Sequence, residues 1–399
     1  MKIKLAILEK DKSYLTRIVT AFGTKYADKI EIYSFTDPEV ALGTLNSAKI
    51  DVLLSSDVFS IDLHKLPNRC AFAYLVDSTG IDMLNDQRAI CKFQKADLIY
   101  KQILSVYSEK ASSITGFKMT GDESVVIAFC SASGGVGSST MAAACATRFA
   151  KKEKKVLYLN LEKFGSADVF FSGQGQFDMS DIIFALKSKK TNLPLKLESC
   201  VKQDPNGVYF YSQAKIALDM MELTTEDTLR LISELKLTGG YDYIILDMDF
   251  SIDRETLKIY RQAQSIVLVG DGSVESNNKT ERAYSALSTL EANADAPLIN
   301  RMSFIYDKVS SKSGQQINAA GLKILGGAPR YSGANVHQIV EQLAAMDIFD
   351  SIMKCVGGGD MDYEQEQQLV NDIKRYITAL GITIFASVST LNTNKSIVR

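Results

Sequence analysis

The sequence predicts two α/β domains, each built on a mostly parallel sheet. Three observations predict it. Short apolar runs alternate with stretches of helical spacing over the first ~110 residues, and do so again from Val125 onward. A polar stretch with Gly116 and Gly121, SEKASSITGFKMTGDES at 108–124, separates the two series. A glycine-rich decapeptide, SASGGVGSST at 131–140, joins an apolar run to a helical one. Repeated βα units imply parallel strands with helices on both faces. At about 100–200 residues per domain, 399 residues leave room for two or three.

The elements follow in order. KIKLAIL (Lys2–Leu8) reads as a strand, and DKSYLTRIVTAF as a helix with Leu15, Ile18, Val19 and Phe22 on one face. IEIYSF is a strand, DPEVALGTL a helix with Pro38 in its first turn, IDVLL a strand and AFAYLV (Ala71–Val76) another. A short CKF segment and the helix ADLIYKQILSVY close a first domain at 1–110. A linker follows at 111–123, then a second domain at 124–399. There VVIAFC (Val125–Cys130), VLYLN (Val156–Asn160), YDYIILD (Tyr241–Asp247), SIVLVG (Ser265–Gly270) and MSFIY (Met302–Tyr306) are buried strands. MAAACATRFAKK is a helix of small residues.

Bulk composition excludes several functions. The 45 Lys and Arg against 47 Asp and Glu give a net charge of −2, so no general attraction to nucleic acid is expected. The six cysteines form no C-x-x-C pair, which suggests neither a zinc nor an iron–sulfur site. No apolar run approaches ~20 residues, and the polar ending SVSTLNTNKSIVR has no apolar face, so no autonomous membrane anchor is expected. A reducing, cytoplasmic setting is the expectation. KKEKK (Lys151–Lys155) reads as a solvated helix end that complements the dipole, and VGGGD (Val356–Asp360) as a helix end or loop.

The decapeptide carries chemistry. Backbone N–H groups of a glycine-rich turn form an anion nest, and the following helix adds its positive end. Ser133, Gly134, Gly135, Val136, Gly137, Ser138, Ser139 and Thr140 are therefore candidate ATP-binding residues. Ser139 can place its hydroxyl on Mg²⁺, and Thr140 can reach a phosphate oxygen. A lysine normally precedes that hydroxyl pair, but Ser138 stands there. Losing one charged hydrogen bond of ~1.5–3 kcal/mol weakens binding roughly tenfold to a hundredfold. Hydrolysis should suffer more, because charge on the transferring group loses its stabiliser. Asp247, ending an apolar strand, is a second Mg²⁺ candidate through water; Asn160 and Glu162 end the neighbouring strand. Glu162 and Asp247 are the candidate catalytic residues. GGAPRYSGAN (Gly326–Asn335) is expected to be a proline-bearing loop over the adenine, with Pro329, Arg330 and Asp307 as positional candidates. The bland alternative is a glycine-rich turn that holds no ligand.

The order of elements over residues 1–110 resembles a response-regulator receiver, a flavodoxin-like fold. That resemblance implies an acidic pair for Mg²⁺ after the first strand, where Glu9-Lys10-Asp11 puts a lysine inside the metal site. It implies a phosphoacceptor aspartate at the end of the third strand, where Ser55 and Ser56 stand and Asp57 comes one place late. Lys92 matches the receiver lysine, with Phe93 in place of proline. Serine cannot form an acyl phosphate, so the unit reads as a pseudo-receiver used for docking or dimerisation. Transfer to Asp57 or Glu9 after a register shift is the alternative.

Residues 122–350 resemble the ParA/MinD superfamily of P-loop NTPases, whose deviant Walker A motif is K-G-G-x-G-K-[ST]. Ser133 and Ser138 occupy its two lysine positions, and Asp247-Met248-Asp249 its Walker B tail. A pseudo-receiver fused to such a domain resembles the TadZ/CpaE group. That resemblance implies a homodimer that binds ATP with Mg²⁺, hydrolyses it weakly or not at all, and localises a Tad/Flp pilus or secretion apparatus. The pseudo-receiver would contact the assembly proteins, at the cell pole or the inner face of the membrane. Rival readings are a partition ATPase, a phosphorylation-controlled output protein, and an adaptor that no longer binds nucleotide.

Overall fold

The computed structural model describes residues 2–110, 124–188, 192–238, 240–309 and 314–356. The expected linker at 111–123, the VGGGD glycines and the polar C-terminal end lie outside them. By contacts the chain divides into two compact units, 1–124 with 149–244, and 125–148 with 245–399.

The first sheet is built from β1 (Ile3–Leu8), β2 (Ile30–Phe35), β3 (Val52–Ser56), β4 (Ala71–Val76), β5 (Met83–Leu84) and β6 (Gln87–Cys91), in the order β2-β1-β3-β4-β6-β5. The pairs β1–β2, β1–β3, β3–β4 and β4–β6 are parallel. This is the doubly wound receiver order. Alternation along β1 divides the core in two. Leu5 and Ile7 face the buried side chains of α1 (Lys12–Lys25) and α3 (Ala96–Ser108). Ala6 and Leu8 face Ala41 and Leu45 of α2 (Pro38–Ser47). Asp11 and Asp37 cap α1 and α2 through paired backbone N–H bonds, and Pro38 sits in the first turn as expected. On α1, Tyr14 joins Leu15, Ile18 and Phe22 in the core, while Val19 is only half-buried.

Two connections depart from a full receiver. A 3₁₀ turn at Leu63–Lys65 stands between β3 and β4, and the antiparallel β5–β6 hairpin follows β4. The same unit carries α5 (Met179–Lys187), α6 (Leu193–Cys200) and α7 (Thr225–Thr238). A capping box of Asp178 and Asp181 starts α5.

The second sheet has eight strands. Those not yet given are β7 (Val125–Cys130), β8 (Val156–Asn160), β9 (Lys202–Gln203), β10 (Tyr209–Phe210), β11 (Tyr243–Asp247), β12 (Ser265–Gly270), β13 (Met302–Val309) and β14 (Lys323–Pro329). Their order is β14-β13-β12-β7-β11-β8-β10-β9. The β7–β12, β12–β13, β13–β14 and β8–β10 pairs are parallel, and β9–β10 is an antiparallel edge. The chain reverses its direction across the sheet at β7. Ligands of open α/β sheets bind at such switch points, at the carboxyl ends of the strands.

In the second unit, α4 (Ser138–Lys151) begins directly after the glycine loop, and Ala142 to Ala146 are all fully buried. Small side chains let this helix pack closely on several sides. Arg148 near its end makes a forked pair with Asp350, 3.1 Å from Nε and 2.9 Å from Nη2. That fork ties α4 to α11 (Ile348–Val356), completing a set with α8 (Arg254–Tyr260), α9 (Val274–Leu290) and α10 (Val336–Ala344).

Candidate functional site

The receiver-like site is filled by its own side chains. Glu9 is only 2% exposed at the end of β1. Lys92, just beyond β6, puts its Nζ 2.9 Å from Glu9 Oε2 and 2.5 Å from Asp77 Oδ1. Burial lowers the affinity of that ammonium for its proton, but hydrogen bonds to Asp77 and Glu9 outweigh it and hold the group above its usual value. Lys10, expected inside the site, is instead exposed; Lys92 is the lysine within it. Asp11 is used as the α1 cap and donates its N–H to Glu9 Oε1 at 3.0 Å. Ser55 and Ser56 are fully buried, and Asp57 is exposed. Among the described residues no group of three or more His, Cys, Asp or Glu is arranged to hold a metal.

The glycine loop has the opposite character. It leaves the carboxyl end of β7, as the sequence predicts, and opens α4 at Ser138. Ser131 Oγ fixes its start by donating to Val269 O at 2.6 Å and accepting from Ser133 N at 3.1 Å. Gly135 and Gly137 have φ of 77° and 104°, a region that side chains avoid. The Oγ atoms of Ser133 and Ser138, at the two expected lysine positions, are buried with no hydrogen-bond partner. Gly134 is exposed, with open space where a Cβ would lie. A Cβ on Gly137 would collide with Asp307 Oδ2 and lie 3.4 Å from Lys308 Cε.

The end of β13 therefore meets the loop. Asp307 is 2% exposed, and burial pushes its carboxyl up to about 6, against the Lys308 backbone N–H and the charges of Lys308 and Arg330. Lys308 donates from Nζ to Gly135 O at 2.8 Å. Its own φ is 57°, left-handed for a non-glycine residue. Asp247 ends β11, fully buried, in the same unit.

GGAPRYSGAN is only partly the loop that the sequence suggests. Gly326 to Pro329 belong to β14, and Val309 pairs with Pro329. Gly326 is small because a Cβ there would come within 2.8 Å of Ile348 Cγ2 on α11. Only Arg330 onward is loop, ending where Asn335 caps α10. Asn160 and Glu162 lie in the other unit and bind each other, Nδ2 to Oε2 at 3.3 Å. Lys155 of KKEKK lies over the rings of Tyr209 and Tyr241, 5.5 and 4.9 Å from their centroids, while Lys151, Lys152 and Lys154 are exposed. Sequence reasoning named Asp307 but missed Lys308. Its only signal was a lysine following that aspartate at a strand end.

Residues 1–108 match the family model described as TadZ-like, receiver domain, and residues 124–294 match an AAA domain. Comparison with curated proteins gives no match. Among solved structures, a ParA family ATPase from Chlorobium tepidum is 20% identical with a TM-score of 0.45, covering 58% of this chain and 97% of its own. MinD in a MinC:MinD complex from Aquifex aeolicus is 18% identical, TM-score 0.44, over 59% and 97%. MinD from Pyrococcus horikoshii, complexed with Mg-ADP, is 16% identical, TM-score 0.42, over 55% and 94%. No helix among the described residues is long and apolar enough to cross a membrane. The chain thus joins a segment matching the TadZ-like receiver domain, at residues 1–108, to a segment matching an AAA domain, at residues 124–294.

Proposed function

We propose that this protein is a dimeric, ATP-binding localisation scaffold for a Tad/Flp-type pilus assembly or secretion apparatus, with weak or no ATP hydrolysis. The observation that carries the reading is the loop. It keeps the glycine backbone of an anion nest, it buries the unpartnered hydroxyls of Ser133 and Ser138, and it contains no lysine. A buried unsatisfied hydroxyl costs about 1–3 kcal/mol, so a ligand that supplies partners there is favoured. ATP with Mg²⁺ fits these residues. The backbone of Gly134 to Gly137 would hold phosphate oxygens, Thr140 a further one, and Ser139 and Asp247 the ion. Bound Mg²⁺ would neutralise part of the phosphate charge. Pro329 and Arg330 would flank the base.

Weak hydrolysis follows from the missing loop lysine. Glu162 and Asp247 remain the candidates for residual activity. The pseudo-receiver, with Lys92 on Glu9 and serines at the acceptor position, serves as a docking surface for assembly proteins and brings the scaffold to the pole or the inner face of the membrane.

The test is calorimetric titration of the full chain with ATP, with and without Mg²⁺, beside a phosphate-release assay. Gly134→Glu is the control variant, because it adds a like charge at the nest where there is open space. Saturable Mg²⁺-dependent binding, lost in the variant and with slow turnover, is expected. Silence up to millimolar ATP would leave only an adaptor. Sustained turnover at the rate of intact MinD-type enzymes would overturn the scaffold reading.

A further inference from the structure

We propose that Lys308 supplies, from the end of β13, the positive charge that the phosphate loop has lost, and that its ligand is the polyphosphate of a nucleoside di- or triphosphate. The inference rests on the nucleotide-binding reading above and adds the residue that makes a lysine-free loop workable. Three observations carry it. Ser133 and Ser138 leave the loop without a cation of its own. The Lys308 ammonium nonetheless lies on the loop, 2.8 Å from Gly135 O, and its Cε lies 3.4 Å from where a Gly137 Cβ would be. Finally, the Lys308 backbone is held at φ 57°. A left-handed non-glycine residue costs about 1–2 kcal/mol, and such strain tends to collect at functional sites.

A neutral carbonyl is a modest partner for an ammonium, and a phosphate oxygen is a stronger one. Polyphosphate arriving in the nest offers that exchange. The side chain needs only to swing from Gly135 O toward the ligand, while the four-carbon stem stays along the loop. Phosphate recognition by a point charge does not require the charge to come from the loop's own sequence, only that it arrive at the nest.

The experiment is calorimetry of the full chain with ATP, ADP and AMP in Mg²⁺ buffer, with thermal unfolding of the ligand-free protein in parallel. Lys308→Met should weaken ATP binding about tenfold to a hundredfold, ADP less and AMP least, with little change in unfolding temperature. Lys308→Arg should stay close to wild type. Adding Ser138→Lys to Lys308→Met should restore most of the loss, since it returns the charge from the other side. Lys308→Gly, which relieves the left-handed backbone, should bind as poorly as Lys308→Met without unfolding earlier.

Lys308→Met binding ATP like wild type would overturn the proposal while leaving nucleotide binding intact. Wild type that binds no ATP would overturn both. Equal losses for ATP, ADP and AMP, with earlier unfolding and no rescue by Ser138→Lys, would make Lys308 a brace for the loop and overturn the proposal as well.

Discussion

The receiver-like half and the glycine loop of this protein differ in how the charged groups at their candidate sites are satisfied. In the receiver-like half the acid at the end of β1 has been satisfied from within. Lys92 pairs with Glu9 and Asp77, Asp11 caps a helix, and the acceptor position is a buried serine. The buried Ser56 Oγ and Tyr14 hydroxyl of that half, like the loop hydroxyls, have no hydrogen-bond partner, so the contrast lies in the carboxylate that a lysine already pairs. In the AAA half the glycine loop contains no lysine of its own. The glycines keep their left-handed turns, and two buried hydroxyls lack partners. A buried carboxylate already paired with a lysine has no free charge to offer a metal. Under the proposed function, the loop's glycine backbone and unpartnered hydroxyls are what a nucleotide would use.

The largest effect expected from breaking this comparison is on the paired carboxylate. Lys92→Met leaves the nearly inaccessible Glu9 carboxylate without its cation, a loss of about 3 kcal/mol or more in stability to urea. Adding Glu9→Gln should recover most of it, because the uncompensated charge is then gone. A wild-type-like unfolding curve for Lys92→Met would mean that the pair is solvated in solution. Acetyl phosphate should label neither protein; labelling at Asp57 would reopen the receiver chemistry.

The glycine loop should respond next. Gly137→Ala combines a φ of 104° with a Cβ that collides with Asp307 Oδ2, for a cost of about 2–3 kcal/mol. Gly134→Ala, with open space at its Cβ, should cost less than about 1 kcal/mol. Comparable unfolding midpoints for the two variants would contradict the loop geometry.

Asp307 links the loop to pH. Its carboxyl, raised by burial to about 6, favours the protonated form in the folded state. The stability it confers is present below the ordinary carboxylate range and is lost as pH rises from about 4 to about 6. Asp307→Asn should flatten that stretch of the stability curve and add on the order of 2 kcal/mol at neutral pH. It should also tighten ATP binding, since an anion beside the nest opposes phosphate. An unchanged pH profile in the variant would place the titration elsewhere.

The sequence revealed the elements more fully than the sites. Apolar strands such as AFAYLV and SIVLVG, and the Asp37-Pro38 helix start, were legible because burial, period and caps are local properties. The serines at 133 and 138 were equally legible as losses. What compensates them was not, because Lys308 is 173 residues from Gly135 in the chain and is brought there only by the sheet order. Lys10 and Lys92 make the same point, since the nearer lysine in sequence is the exposed one. The glycines at 326 and 327 looked like a ligand loop from composition. At Gly326 the constraint is the close approach of Ile348, which no local pattern encodes.

The smallest expected effect sharpens the comparison most. Ser138→Lys returns the loop lysine to a position whose hydroxyl is buried without a partner. In a loop with no other cation, the added charge should tighten ATP binding by the full tenfold to hundredfold that such a hydrogen bond confers, about 1.5–3 kcal/mol. Beside Lys308, the second ammonium meets phosphates that are already partly neutralised and repels the first, so the gain should fall to tenfold or less, about 1.4 kcal/mol. The difference between the gain in wild type and the gain in Lys308→Met is the coupling between the two lysine positions, read from one double-mutant cycle. A gain that is the same in both backgrounds would show that the two charges do not share a ligand. The glycine loop would then have no cation at all.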